Sequence, residues 1–552
     1  MTASQPFQRP YAPATAEQRM GFAVTDLTIG HILARQAEKY GDRTYLHYIP
    51  DGRTYSYGEV HRLSNVIANN LLRLGIRQGE HVAVMLENCP EQLLFYFALG
   101  KIGAVAVPIN SAARGQLLTY YVSHADCVAV LTDATLAPHF DEIRDQVPAI
   151  RTHLMLSEDG AMHTAGWTDY RSLEEGPDTA PTATVKFSDL AFLLYTSGTT
   201  GPSKAIMFPH AYALVYGLDQ AENYGFRETD VIHISLPLFH ANGLLSHGYG
   251  ALVTGAKLCL SRRFSASNFW REVRETESTV LSLLGSMANI LWGQPVSPDD
   301  RRHKVRQVTV APAPSSKHAF EERYGLRVLS TYGLTDYGIA CVYDFDAPRE
   351  KLGSAGRARR GMQVRIVDDN DMPLPPGVVG EIVMRAEWPW TTSPGYYKMP
   401  EQTLAARRNF WFHSGDRGYF DEDGYLFFAD RKKDSIRRRG ENISAFEVEQ
   451  GIVNHPAVAD VAAFPVSSPL GEDEVACAVI RRGDMHVTEA ELIEHCQKNM
   501  AYFMVPRYIR FVADMPRSGT HKVEKYKLQK EAQAELDAWW DREKAGIVLR
   551  RK

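Results

Sequence analysis

The chain lacks most of the features that mark special classes of protein. Its six cysteines (Cys89, Cys127, Cys259, Cys341, Cys477 and Cys496) are scattered, and none forms a C-x-x-C pair. That spacing argues against a disulfide frame and a zinc site and fits buried free thiols in a reducing cytoplasm. No stretch approaches eighteen uninterrupted apolar residues, so no membrane span is expected. The first eighteen residues are polar and proline-bearing, without a basic n-region followed by an apolar h-region. They read as a loosely ordered arm rather than a secretory signal. Neither sign of charge is in excess: 61 Lys and Arg against 66 Asp and Glu give a net charge of −5, and nothing points to nucleic acid as a partner. There is no internal repeat and no long low-complexity tract.

What remains is an ordinary globular composition, 44% hydrophobic and 23% charged, over 552 residues, too long for a single core. Residues 44–49, 81–86, 104–108 and 128–132 read as strands. Tyr57 to Leu74 carries Val60, Leu63, Val66, Ile67 and Leu71 at helical spacing, and Pro90 to Gly100 reads as a second helix. Alternating strands and helices predict α/β layers with mainly parallel sheets. Residues 157–186 are polar and acidic and read as a surface connection. Near residue 430 the chain passes from Phe427-Phe428 to the dense charge of Asp430-Arg431-Lys432-Lys433-Asp434. The expected division is a large N-terminal domain of layered sheets and helices, 1–432, and a small mobile C-terminal α+β domain, 433–552, hinged at Lys433.

The most informative run is Tyr195-Thr196-Ser197-Gly198-Thr199-Thr200-Gly201-Pro202-Ser203-Lys204, which follows the apolar strand Leu190 to Leu194. It offers hydroxyls, backbone N–H groups, little bulk and one cation, a combination suited to close approach to phosphate. A Walker loop is excluded, because no Ser or Thr follows a Gly-Lys pair.

Five further motifs follow in order: Leu236-Pro237-Leu238-Phe239-His240-Ala241-Asn242-Gly243; Ser330-Thr331-Tyr332-Gly333-Leu334-Thr335-Asp336; Trp411-Phe412-His413-Ser414-Gly415-Asp416; Asp430-Arg431-Lys432-Lys433 with Arg439-Gly440-Glu441-Asn442; and Pro516-Arg517-Ser518-Gly519-Thr520-His521-Lys522-Val523. Together with the 195–204 run, they resemble the adenylate-forming superfamily of acyl-CoA synthetases, luciferases and peptide-synthetase adenylation domains. The resemblance covers about residues 25 to 535 and is greatest to acid–CoA ligases of the carnitine/crotonobetaine type and to ligases of alicyclic or aromatic acids.

The resemblance implies a two-step reaction of a small carboxylic acid with ATP, Mg2+ and CoA. Lys522, His240 and Thr335 would be catalytic. Thr196, Ser197, Gly198, Thr199, Thr200, Gly201 and Lys204 would hold phosphates; Tyr332 would lie against adenine, with Gly333 beside it in the cofactor site; Asp416 would reach the ribose and Arg431 the ribose or a phosphate. Asp336 would hold the metal, and Gly440 and Glu441 would belong to the CoA-facing loop, with Arg437, Arg438 and Arg439 adding charge for CoA phosphates. Ala313, in Val310-Ala311-Pro312-Ala313-Pro314, takes the place of the alanine in a Gly-Gly-Ala-Pro segment. Three positions depart from the pattern: Asp336 for Glu, Pro312 for Gly and His521 for Gly. Small residues at Gly285, Ser286, Ala311 and Ala313 suggest room for a bulky acid. Two other readings remain open, a ligase that loads a separate carrier protein and a nucleotide-binding pseudoenzyme. A homodimer is expected from base rates alone.

Overall fold

A computed structural model describes residues 18–19, 21–157, 166–196, 202–311, 313, 316–431, 435–468, 471–516 and 523–549. Lys433, expected as the hinge, the expected phosphate-loop residues Ser197 to Gly201, Pro312, His521 and Lys522 lie outside them.

Two large sheets organise the N-terminal part. One runs in the order Lys204–Pro209, Leu190–Thr196, Val105–Pro108, His81–Met85, Cys127–Asp133, Thr152–Leu156, Thr168–Asp169. The other is centred on Arg327–Leu334, Gln307–Ala311, Val280–Leu284, Val231–Ile234, Lys257–Leu260 and Thr44–Tyr48, in that order. Pairing is parallel through the middle of both sheets and antiparallel at their hairpin edges. The strand His81–Met85 shows why these segments read as unbroken apolar runs. Val82 and Val84 enter the core shared by both sheets, while Ala83 and Met85 enter a second core with Val107, Val130 and Phe140. A parallel strand covered on both faces needs apolar residues at every position.

The helix Pro90–Ile102 lies between the sheets with all of its residues buried. Phe97 approaches Tyr45 of one sheet (ring centroids 6.2 Å apart), and Tyr96 meets Phe192 of the other (5.6 Å). Pro90 occupies the first turn, where a missing N–H costs nothing, and Gly103 ends the helix at φ +68°. The neighbouring helix Tyr57–Arg73 opens with a reciprocal cap between Ser56 and Glu59.

A third, wholly antiparallel sheet (Met362–Val367, Gly380–Ala386, Phe412–Phe420, Leu426–Arg431) packs Ile366, Ile382, Met384 and Leu426 against Tyr332 and Tyr337. The segment read as a surface connection is one only in part. Trp167, Tyr170 and Leu173 are buried, and Thr168–Asp169 adds an edge strand. These three apolar anchors outweigh the polar residues around them.

Beyond residue 434 the chain has its own cores. A hairpin, Ser435–Arg438 with Glu441–Ser444, leads into the helix Ala445–Val453 and a sheet ordered Val458–Ser467, Asp473–Arg481, Tyr508–Phe511, Trp540–Asp541. Ile436, Ile443 and Val448 pack on Val475, Cys477 and Val479, while Ala462, Phe464 and Val466 face a second cluster with Trp539. The six cysteines are unpaired, five of them buried.

Candidate active site

A cavity of about 820 Å3 opens where the C-terminal ends of the central strands meet the small C-terminal unit. Thr196, His240, Ala311, Thr335, Asp336 and Glu441 all line it, although they come from five separate stretches of sequence. Crevices at the carboxyl ends of parallel strands are the usual ligand sites of such sheets.

The two ends of the phosphate-loop run are brought together, since Thr196 pairs with Lys204 across the antiparallel hairpin strands Leu190–Thr196 and Lys204–Pro209. The segment 393–397 is added to the outer edge of that hairpin: Ile206 bridges Tyr396, and the Met207 N–H donates to the Gly395 carbonyl (3.0 Å). This places the Tyr396 ring beneath the Lys204 ammonium, 4.4 Å from its centroid, and lets the Tyr396 hydroxyl donate to Asp336 at 2.6 Å. Burial and the Asp336 charge both push the Tyr396 hydroxyl well above its ordinary pKa, so it remains a donor. The lysine and the carboxylate are therefore set around one aromatic residue, for which the sequence carried no signal.

The Tyr332 segment is the end of a strand, Arg327–Leu334, rather than a turn after it. Gly333 is required there, since a Cβ would lie 2.6 Å from the Gly338 carbonyl oxygen across the hairpin. Tyr212 donates to the Thr335 carbonyl and Tyr216 to that of Leu334, both at 2.9 Å, which fixes the turn that carries Asp336. Tyr332 itself departs from the expectation that it faces adenine. Its ring is in the core, and its hydroxyl donates to Asp416 Oδ2 at 3.0 Å. Asp416 is only 3% exposed, and neither residue lines the cavity. The backbone of Arg431 pairs with that of Asp416. Ala313 and Gly285 also lie off the cavity wall, while Ser286, Met287 and Ala311 form part of it.

The small unit closes one side of the cavity. Glu441 accepts from Asn110 (3.2 Å) through Oε1 and meets His240 Nε2 (3.1 Å) through Oε2. Gly440 sits at φ +84° with its N–H on Glu472 (2.9 Å). The expectation that three arginines meet CoA phosphates needs correction. Arg438 is 3% exposed, pairs with Glu474 at 2.6 Å and donates to the Phe503 and Val505 carbonyls. Its position on the inward face of the hairpin strand makes it a core ion pair, and burial draws its pKa down to about 10. Arg437 and Arg439 line the cavity.

Glu447, in the first turn of the helix Ala445–Val453, is a further contact that the motifs did not reveal. Its carboxyl accepts from the Ser203 N–H (2.8 Å) and makes a short hydrogen bond with the Ser203 hydroxyl. Tyr120 donates to the Ser203 carbonyl at 2.8 Å and Tyr121 approaches its hydroxyl at 3.3 Å. Burial raises the Glu447 carboxyl to about 7, against the opposing effect of the Ser203 bonds.

Among the described residues no cluster of three His, Cys, Asp or Glu stands ready to hold a metal. The single carboxylate of Asp336 still fits Mg2+, which retains water and commonly takes one or two carboxylates together with the phosphate oxygens of its nucleotide.

Residues 33–397 match the AMP-binding enzyme family, and residues 447–522 match the AMP-binding enzyme C-terminal domain. Crotonobetaine/carnitine–CoA ligase of Salmonella paratyphi B is 32% identical over 502 residues, 89% of this chain and 96% of that protein. The fold is similar to that of o-succinylbenzoate CoA synthetase from Bacillus subtilis in a binary complex with a product analogue (TM-score 0.79, 24% identity, 90% and 98% of the two chains). It is also similar to a fatty acyl CoA synthetase of Mycobacterium tuberculosis (TM-score 0.67, 25% identity, 92% and 99%).

Proposed function

The chain belongs to the AMP-binding enzyme family, and on that premise we propose that its cavity joins a small carboxylic acid to CoA at the expense of ATP. It is an AMP-forming acid–thiol ligase. The observation that carries the reading is the convergence of Thr196, His240, Thr335, Asp336 and Glu441 on one cavity that is closed by the small C-terminal unit.

In the first step a carboxylate oxygen attacks the α-phosphorus of ATP, and the bond to pyrophosphate breaks. Most of the catalysis in such a transfer comes from positioning and charge neutralisation. The Thr196-to-Lys204 loop holds the departing phosphates, with Lys204 steadied by the face of Tyr396. Asp336, together with the nucleotide, would hold Mg2+, which would offset phosphate charge. Lys522 bridges the carboxylate and α-phosphate oxygens. Thr335 contacts phosphate; by the family resemblance Arg431 takes ribose or phosphate and Asp416 takes the ribose, which requires Asp416 to give up its buried bond to Tyr332. In the second step the CoA sulfur attacks the acyl carbonyl carbon, the thiol proton is lost, and AMP leaves with the electrons of the broken C–O bond. Gly440 and Glu441 border the path of the thiol, and His240 is held beside it by Glu441. Lys522 and the Gly440–Glu441 turn both belong to the small domain 433–552 and cannot easily serve one site at once, so each step is assigned its own domain arrangement about Lys433.

The reading includes a reducing cytoplasmic setting, supported by six unpaired thiols, and a homodimer on symmetry grounds alone. Among the described residues no helix is long and apolar enough to cross a membrane.

The test is AMP release with ATP and Mg2+ across a panel of carboxylic acids, each with and without CoA. CoA-dependent AMP release with one acid class is the expected result. Acid-dependent pyrophosphate exchange that CoA does not advance would point to a carrier-protein acceptor. Silence in both assays across the panel would overturn the reading.

A further inference from the structure

The inner wall of the cavity carries unanswered polarity. The segments that build it are the helix His210–Tyr224, Ser235 at the end of the strand Val231–Ile234, the π-helical turn Asn242–Gly248, the helix Gly285–Trp292 and the strands Gln307–Ala311, Arg327–Leu334 and Gly338–Tyr343. Every residue they contribute to the cavity is uncharged. Several are polar, and some of these are already engaged. Tyr216 donates to Leu334, Thr331 donates to the Cys341 carbonyl, and Asn242 lies 3.4 Å from the Ser282 hydroxyl.

Three wall residues stand apart. Gln220 is 2% exposed, Ser235 4% and Thr309 3%, yet Gln220 Oε1, Ser235 Oγ and Thr309 Oγ1 have no hydrogen-bond partner. Buried polar groups are rarely left in this state, because each has given up water without recovering a bond. That all three belong to residues of one cavity wall makes a ligand the economical partner. Their placement supports this. Thr309 pairs in parallel register with Ser282, so both face the same side of the sheet. Ser235 directly follows the strand Val231–Ile234 at its carboxyl end. Gln220 comes from the covering helix, and its amide can present either its oxygen or its nitrogen. The π-helical turn, a distortion that recurs at functional sites, runs beside them and adds Asn242 and Ser246 to the wall.

Charge narrows the ligand further. Asp219, next to Gln220, is buried and matched by buried Arg359 at 3.0 Å, so the buried face of the helix offers no unbalanced anion. We propose that the acid accepted by this chain carries an uncharged hydrogen-bonding group, a hydroxyl, carbonyl or amide, away from its carboxylate, and that Gln220, Ser235 and Thr309 select for it. The inference rests on the ligase reading and names its substrate class. Linear alkanoic acids would leave the three groups unpaired, and a trimethylammonium acid would find no anion on that wall. Sites that hydrogen-bond a substrate group discriminate strongly against the analogue without it.

The experiment measures CoA-dependent AMP release with acids paired by shape: gamma-hydroxybutyrate against valerate, levulinate against isocaproate, para-hydroxybenzoate against para-methylbenzoate, with crotonobetaine as the cationic comparison. The full chain is used, together with Thr309→Val, Gln220→Leu and the hydroxyl-retaining Thr309→Ser. In at least one pair the polar acid is expected to be preferred by tenfold or more in kcat/KM. Thr309→Val and Gln220→Leu should each reduce that preference by about tenfold, with the KM for ATP unchanged, while Thr309→Ser should retain it. Equal or better turnover of the apolar members, or preference for crotonobetaine, overturns the inference and leaves the ligase reading standing. Silence with every acid overturns both.

Discussion

Gly440 is held at φ +84°, and a methyl group in place of its hydrogen would sit 2.1 Å from Leu284 Cδ1. Leu284 itself lines the cavity, so the glycine lets the hairpin tip approach the wall of the site. Gly440→Ala combines left-handed backbone strain of about 1–2 kcal/mol with a clash at that wall. The expected outcome is a thioester-forming step at least tenfold slower, with ATP–pyrophosphate exchange little changed, measured by single-turnover assays of each half-reaction. Gly333 presents a different case, since its added Cβ would meet the backbone of the partner strand, 2.6 Å from the Gly338 oxygen and 2.8 Å from Ile339 Cα. Gly333→Ala should open the hairpin that carries Asp336, lowering the Tm and slowing adenylation together. Both glycines were legible in the sequence as members of motifs. The reasons for them were not, because each lies in an atom brought near by folding. Tyr396 shows the limit more sharply. It touches both Lys204 and Asp336 and belongs to no motif.

At the scale of the element, the hairpin Ser435–Arg438 with Glu441–Ser444 explains why three consecutive arginines have separate fates. Alternation along the strand sends Arg438 into the core beside Glu474 and leaves Arg437 at the cavity, where Arg439 joins it from the turn at φ +51°. From composition alone the run was a uniform basic patch. The helix that follows makes the Glu447–Ser203 contact across 244 residues of sequence, a distance over which no local pattern carries information. That contact has a pH dependence of definite sign. The Glu447 carboxyl titrates near 7 when packed on Ser203 and near the ordinary 4.5 when released. Between those values the packed arrangement binds more protons than the released one, so it is weakened as pH rises from about 4.5 to 7 and changes no further above that. Glu447→Gln keeps the shape without the charge. Distances between fluorophores on the two units should lengthen with rising pH in the wild-type chain and stay constant in the variant. A pH response of the same size in both would count against Glu447 as its source.

For the whole molecule, the order of strands and helices was readable because each buried strand and each amphipathic helix writes its own period. Sheet neighbours were not, since Val231–Ile234 lies between strands that follow it in the chain, and pairing depends on contacts no single segment records. The arrangement of the two units likewise came from the structure. The hairpin face of the small unit is turned to the cavity, where Glu441 holds His240 and Asn110. If Lys522 serves adenylation and the Gly440–Glu441 turn serves thioester formation, the two steps must be separable by mutation. Lys522→Ala is expected to lower acid-dependent ATP–pyrophosphate exchange by at least a hundredfold, the scale of losing a preorganised charge at a developing anion. The same variant, supplied with chemically prepared acyl-adenylate and CoA, should form thioester within a fewfold of the wild-type rate. Glu441→Ala should show the reverse, retaining exchange and slowing thioester formation. Loss of both half-reactions to the same degree in either variant would mean that a single arrangement serves both steps, and the reorientation about Lys433 would have to be abandoned.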